Sequence, residues 1–84
     1  MRRNSLYDPR YQSIISRLIQ ARQNAGLNQE ELAQKIAIGQ PEVSKIERFA
    51  RKIEVLELID WIKATASEDL AVVARILERT LANR

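Results

Sequence analysis

An all-α domain of five helices is predicted by three features of this sequence. Glycine and proline number only two each in 84 residues, so few positions break a helix. Apolar residues return every three or four positions rather than every two, which marks helices with one buried stripe. No histidine or cysteine is present, so disulfides, thiol catalysis, ordinary zinc sites and imidazole chemistry are excluded together.

The elements follow in order. Residues 1–8 read as a polar, basic arm, where Arg2 and Arg3 suit either a nucleic-acid groove or a frayed terminus. Pro9 belongs at the first position of helix 1, with Asp8 as its N-cap. Tyr11, Ile14, Ile15, Leu18, Ala21 and Ala25 supply the inner face of that helix, and Gly26 stops it. Asn28 caps helix 2, with Glu31 three residues on completing a capping box. Gly39 precedes helix 3, and Pro41 sits in its first turn, where a missing N–H is tolerated. Helix 4 is expected over residues 54–65 with Val55, Leu58, Ile59 and Ile62 inward. Ser67 caps helix 5, Glu68 and Asp69 suit its N-terminal dipole, and the helix runs to about Leu81.

Residues 29–48 carry the strongest signal. Leu32 and Ile36 lie four apart on one helix, Val43 and Ile46 three apart on the next, and Ile38 falls in the joint. Ala33 stands where the two helices pass closest. Two stripes, a plug and a small contact residue within about twenty positions describe two helices clamped at a fixed angle, the arrangement that offers a helix to the major groove.

These words, Leu27-Asn28-Gln29-Glu30-Glu31-Leu32-Ala33 and Gln40-Pro41-Glu42-Val43-Ser44-Lys45-Ile46-Glu47-Arg48, resemble the helix-turn-helix of the phage Cro/repressor (Xre-type) family. The resemblance covers roughly residues 13–64 and implies a lambda-repressor-like fold. Two positions depart from the pattern: Ala37 stands where the turn usually has a left-handed Gly, and Phe49 where a Gly commonly follows helix 3. A left-handed Ala costs about 1 kcal/mol, and a bulky aromatic is a poor left-handed stop. The path of residues 49–53 is therefore not set by the resemblance.

Charge is unevenly spread. Residues 1–27 hold five Arg and one Asp, net +4; residues 28–52 hold five basic and four acidic groups, net +1; residues 53–84 hold four and six, net −2. A DNA-facing side opposite a protein- or solvent-facing side produces such a split.

At the start of helix 3, Gln40 is the best candidate for a base contact, because an amide both gives and takes a hydrogen bond at adenine. Lys45 suits guanine, Ser44 a base or a phosphate, and Pro41 only apolar contact with a thymine methyl. Glu42 is accounted for by the helix dipole more simply than by cytosine. The resemblance implies that Asn28 and Gln29 grip the DNA backbone while Gln40, Pro41 and Lys45 face bases. Arg48, Arg51 and Lys52 are then further phosphate candidates or a solvated charge cluster. It also implies a structural ion pair between Arg22 and Glu47, neither of them a DNA contact.

On helix 5, Leu70, Val73, Leu77 and Leu81 form one stripe, with Val72 and Ile76 beside it. The expected organisation is an arm at 1–8, the helix-turn-helix domain at 9–66 and a dimerising helix at 67–84. Trp61, Val72 and Ile76 are the interface candidates, since two-fold dimers are the usual route to specificity. The functional expectation is a cytoplasmic, homodimeric transcriptional repressor that binds double-stranded DNA without a cofactor or metal. The alternative is an antitoxin-like interaction module acting through a second protein. No apolar run suggests a membrane span. No nucleophile–base pair, metal cluster or phosphate loop suggests an enzyme.

Overall fold

The computed structural model describes residues 5–66 and 68–82, and a short 3-10 turn at Ser5–Tyr7 leads into five helices. These are α1 (Pro9–Asn24), α2 (Gln29–Ile36), α3 (Gln40–Glu47), α4 (Val55–Thr65) and α5 (Glu68–Ala82). Each begins as its sequence dictates where the described residues allow a test. Asp8 Oδ1 accepts from the Arg10 N–H at 2.8 Å, and Pro9 opens α1. Asn28 Oδ1 takes the Glu31 N–H at 2.7 Å while Glu31 Oε1 takes the Asn28 N–H at 2.9 Å, so the capping box at α2 is reciprocal. Ser67, the side chains of Glu68, Asp69, Leu77 and Leu81, and the arm residues Arg2 and Arg3 lie outside the described residues.

The helix ends are closed by left-handed residues, only one of them glycine. After α1, Gly26 has φ +74°, and the Leu27 N–H reaches back to the Arg22 carbonyl at 3.1 Å. After α2, Ala37 takes φ +59°, and the Ile38 N–H donates to Ala33 O at 3.1 Å. After α3, Phe49 takes φ +60°; its N–H donates to Ile46 O and the Ala50 N–H to Lys45 O at 2.8 Å. The family geometry is thus kept at both positions without its glycines. Phe49 packs partly buried against the core, and that burial offsets the steric cost of the left-handed turn. Ala37 is exposed and has no such offset. Ala37→Gly is therefore expected to raise stability by about 1 kcal/mol, read as a higher urea midpoint at unchanged slope.

One core gathers Ile15 and Leu18 of α1, Leu32, Ala33 and Ile36 of α2, Val43 and Ile46 of α3, Trp61 and Ile62 of α4, and Ala74 of α5. Ile38 plugs the α2–α3 joint from a partly buried position. Several inward assignments are corrected. Ile14 is 45 % exposed, because the apolar stripe of α1 runs through Ile15, Leu18 and Ala21 instead. Ala25 is the exposed C-cap of α1. Val55, the first residue of α4, is 57 % exposed, and Trp61 fills the core. On α5 the inward face is turned to Ala74 and Leu70, which leaves Val73 as well as Val72 and Ile76 exposed. Trp61 is fully buried and its Nε1–H donates to Leu18 O at 3.0 Å, so it is a core residue and not an interface candidate.

The segment between α3 and α4, which the sequence does not define, is fixed by two side chains. The Ile53 N–H donates to Tyr11 Oη at 3.0 Å, which ties it to α1. Arg51 Nη1 donates to Lys52 O at 2.8 Å. Among the described residues no helix is long and apolar enough to cross a membrane.

Candidate nucleic-acid interface

Leu32, Ala33 and Ile36 share one core with Val43 and Ile46, which holds α2 and α3 together. Along α3, Gln40, Pro41 and Lys45 are exposed, as is Arg48 at its C-cap, and Ser44 is partly exposed. Asn28, Gln29, Glu30, Ala33, Gln34, Ile38 and Gln40 line an open groove between α2 and the start of α3. Asn28 is exposed and spends its side-chain oxygen on the cap. The structure therefore brings Asn28, Gln29 and Gln40 to one surface.

Behind that surface runs a continuous polar chain. Arg22 donates through Nε to Glu47 Oε2 at 2.6 Å and through Nη2 to Glu47 Oε1 at 3.0 Å, a bidentate pair. The two side chains are only 11 % and 8 % exposed. Arg22 Nη1 also donates to Leu27 O at 2.8 Å, which joins α1, the α1–α2 turn and α3. Gln29 Nε2 donates to Glu47 Oε1 at 3.0 Å, and Gln40 Nε2 donates to Gln29 Oε1 at 2.9 Å. The ion pair that resemblance implied thus reaches the surface through two amides, a connection sequence reasoning missed. Gln29 and Gln40 lie eleven residues apart, and no local spacing rule pairs them.

Arg51 is reassigned. Its Nη1 and Nη2 donate to the Glu57 carboxylate at 3.0 and 2.6 Å, and its Nε donates to Glu42 Oε1 at 2.8 Å. With Lys52 O also served, the guanidinium is committed to bracing α3 against α4 and is not counted among the phosphate contacts. Hydrogen bonding to Glu57 raises the Arg51 pKa further, and the same bond holds the Glu57 carboxyl below its ordinary value. Arg51 likewise depresses Glu42, with a smaller contribution from Lys45. Glu42 therefore has two basic partners, and the helix dipole is only part of its explanation. Its 3.4 Å contact with Lys45 is exposed, so it holds Lys45 weakly. Arg48 and Lys52 remain exposed basic groups at the far end of the same region.

Among the described residues no cluster of acidic side chains has the arrangement of a metal site. A family model described as helix-turn-helix matches residues 18–68, from the middle of α1 to the start of α5. No curated protein sequence matches the chain.

Proposed function

This chain belongs to the Cro/C1-type (Xre) helix-turn-helix family of DNA-binding transcription regulators, and from that premise we propose that it is a sequence-specific repressor that reads the major groove with α3 as a homodimer. The observation that carries this reading is the pre-positioned Gln40 amide at the exposed start of α3, hydrogen-bonded to Gln29. An amide held in place before binding loses little side-chain freedom on meeting a base. In this reading Gln40 contacts adenine, Lys45 leaves Glu42 for a guanine, and Pro41 and Ser44 line the same base pairs. Asn28, Gln29, Arg48 and Lys52 take phosphates and set the salt dependence.

Two copies are needed for a site of useful length. Val72, Val73 and Ile76 present apolar side chains on one exposed side of α5, 51 %, 43 % and 58 % accessible, and this side is the proposed dimer contact. The same exposed residues favour the second reading, in which α5 binds an unrelated protein and the domain acts through that partner.

Selection of sheared genomic DNA on the purified protein, followed by sequencing, tests the proposal. The expected product is an inverted repeat with half-site centres about 34 Å apart, one helical turn. Gln40→Ala/Lys45→Ala should lose the preference while keeping weak binding at low salt. A single unrepeated half-site removes the homodimer from the reading. No enrichment from folded protein at low salt removes the repressor and favours the partner-bound module.

A further inference from the structure

The hydrogen-bonded chain behind the surface has a direction, and we propose that Glu47 sets it: the buried carboxylate determines which way round the Gln40 amide is presented to a base. The inference rests on the reading of Gln40 as a base-contacting residue and assigns Glu47 as its positioning residue.

A carboxylate paired with Arg22 offers acceptors only. Arg22 takes both oxygens, and Oε1 has room for a second donor, which Gln29 supplies through Nε2 at 3.0 Å. Once its nitrogen is turned to Glu47, the planar amide of Gln29 must turn its oxygen the other way. Gln40 can answer an oxygen only with its own nitrogen, and does so at 2.9 Å. What Gln40 then has left are one N–H on the side of Gln29 and a free Oε1 on the far side. These are a donor and an acceptor in fixed order across one plane, the pair that matches N7 and the N6 amino group of adenine.

Reversing the order requires Gln40 to turn its oxygen towards Gln29, and Gln29 to turn its own oxygen towards Glu47. Two oxygens would then face each other at hydrogen-bond distance inside a pocket where Glu47 is 8 % exposed. The order is thus fixed from the core outward, by a residue that touches no base. Glu47→Gln relaxes the constraint at almost unchanged volume, because a carboxamide can turn either its oxygen or its NH2 group towards Gln29. One of the two Arg22 donors loses its acceptor in either orientation, and the thermal midpoint reads that cost.

The test uses the full chain at one salt concentration. The duplexes are the selected site and its three substitutions at each base pair, with the thermal midpoint measured alongside. Gln40→Ala first identifies the base pair it reads. Glu47→Gln is expected to lower the adenine preference at that pair about tenfold while the ranking at all other pairs is retained. Gln29→Met breaks the relay with the Arg22–Glu47 pair intact. It should lose the same preference at the same pair, in addition to a uniform weakening from its phosphate contact. If Glu47→Gln weakens every duplex by a common factor and adenine stays preferred, Glu47 is purely structural and the proposal fails, whatever Gln29→Met does. If Glu47→Gln does not fold, Arg22→Met/Glu47→Leu, which removes the carboxylate together with its charge partner, decides by the same criterion. Failure of the underlying reading looks different: Gln40→Ala then changes no base preference, and the inference falls with it.

Discussion

Arg22→Ala is expected to lower the unfolding free energy by about 3–5 kcal/mol, the largest loss available from any surface-reaching side chain here. The substitution leaves the Glu47 carboxylate buried with a single amide donor, and it strips the Leu27 carbonyl of its partner. A domain of this size has a total stability near the lower end of about 5–15 kcal/mol, so the variant approaches unfolding at ambient temperature. Urea denaturation followed by circular dichroism measures the loss. The mechanism has a built-in control, since most of the damage comes from the stranded charge and not from the missing bond. Arg22→Met/Glu47→Leu should recover most of the stability that Arg22→Ala loses. A double variant no more stable than the single one would show that the pair's geometry, and not the uncompensated charge, dominates.

Trp61→Ala is expected to cost a similar 3–5 kcal/mol, by a different route. The indole is fully buried among Ile15, Leu18 and Ile62, and its removal leaves a cavity between α1 and α4 that a small domain cannot close by local adjustment. Trp61→Phe keeps most of the volume and loses only the bond to Leu18 O, so it should cost about 1–2 kcal/mol. The ratio of the two losses separates packing from hydrogen bonding. It also decides the residue's place in the molecule. A tryptophan serving a subunit contact would leave the monomer's stability unchanged when shortened and would alter the concentration dependence of unfolding instead.

Much of the fold is legible because its signals are local. Asp8 with Pro9, Asn28 with Glu31, and the stripes of Leu32, Ile36, Val43 and Ile46 each act within one turn of helix or between two adjacent helices. Periodicity failed where two apolar stripes compete on one helix. In α1, Ile14 and Ile15 are adjacent and only Ile15 turns inward; in α5, neither Val72 nor Val73 does, and the buried position is Ala74. The packing of α4 decides it. Trp61 was misplaced for a related reason, since an aromatic residue on the last helices suits an interface as well as a core until its N–H partner is seen.

The interface was legible residue by residue but not as a system. Gln40, Gln29 and the Arg22–Glu47 pair were each singled out, by chemistry or by resemblance, yet their linkage joins positions 11 and 18 residues apart. Arg51 was misread because its partners, Glu42 and Glu57, are nine and six residues away on different helices. A basic side chain near a candidate DNA surface looks the same in sequence whether or not carboxylates already hold it.

The two side-chain ties that cross the molecule have a consequence for the order of events in folding. Trp61 to Leu18 spans 43 positions and Ile53 to Tyr11 spans 42, and both fasten α1 to the far half of the chain. Closing loops of that length is slower and entropically dearer than closing the short turn between α2 and α3. The α2–α3 pair therefore has its own contacts within early reach of the chain. The frame that holds it steady waits for α4 to arrive against α1. The α2–α3 unit closes over the shortest stretch of chain, and its bracing depends on the longest.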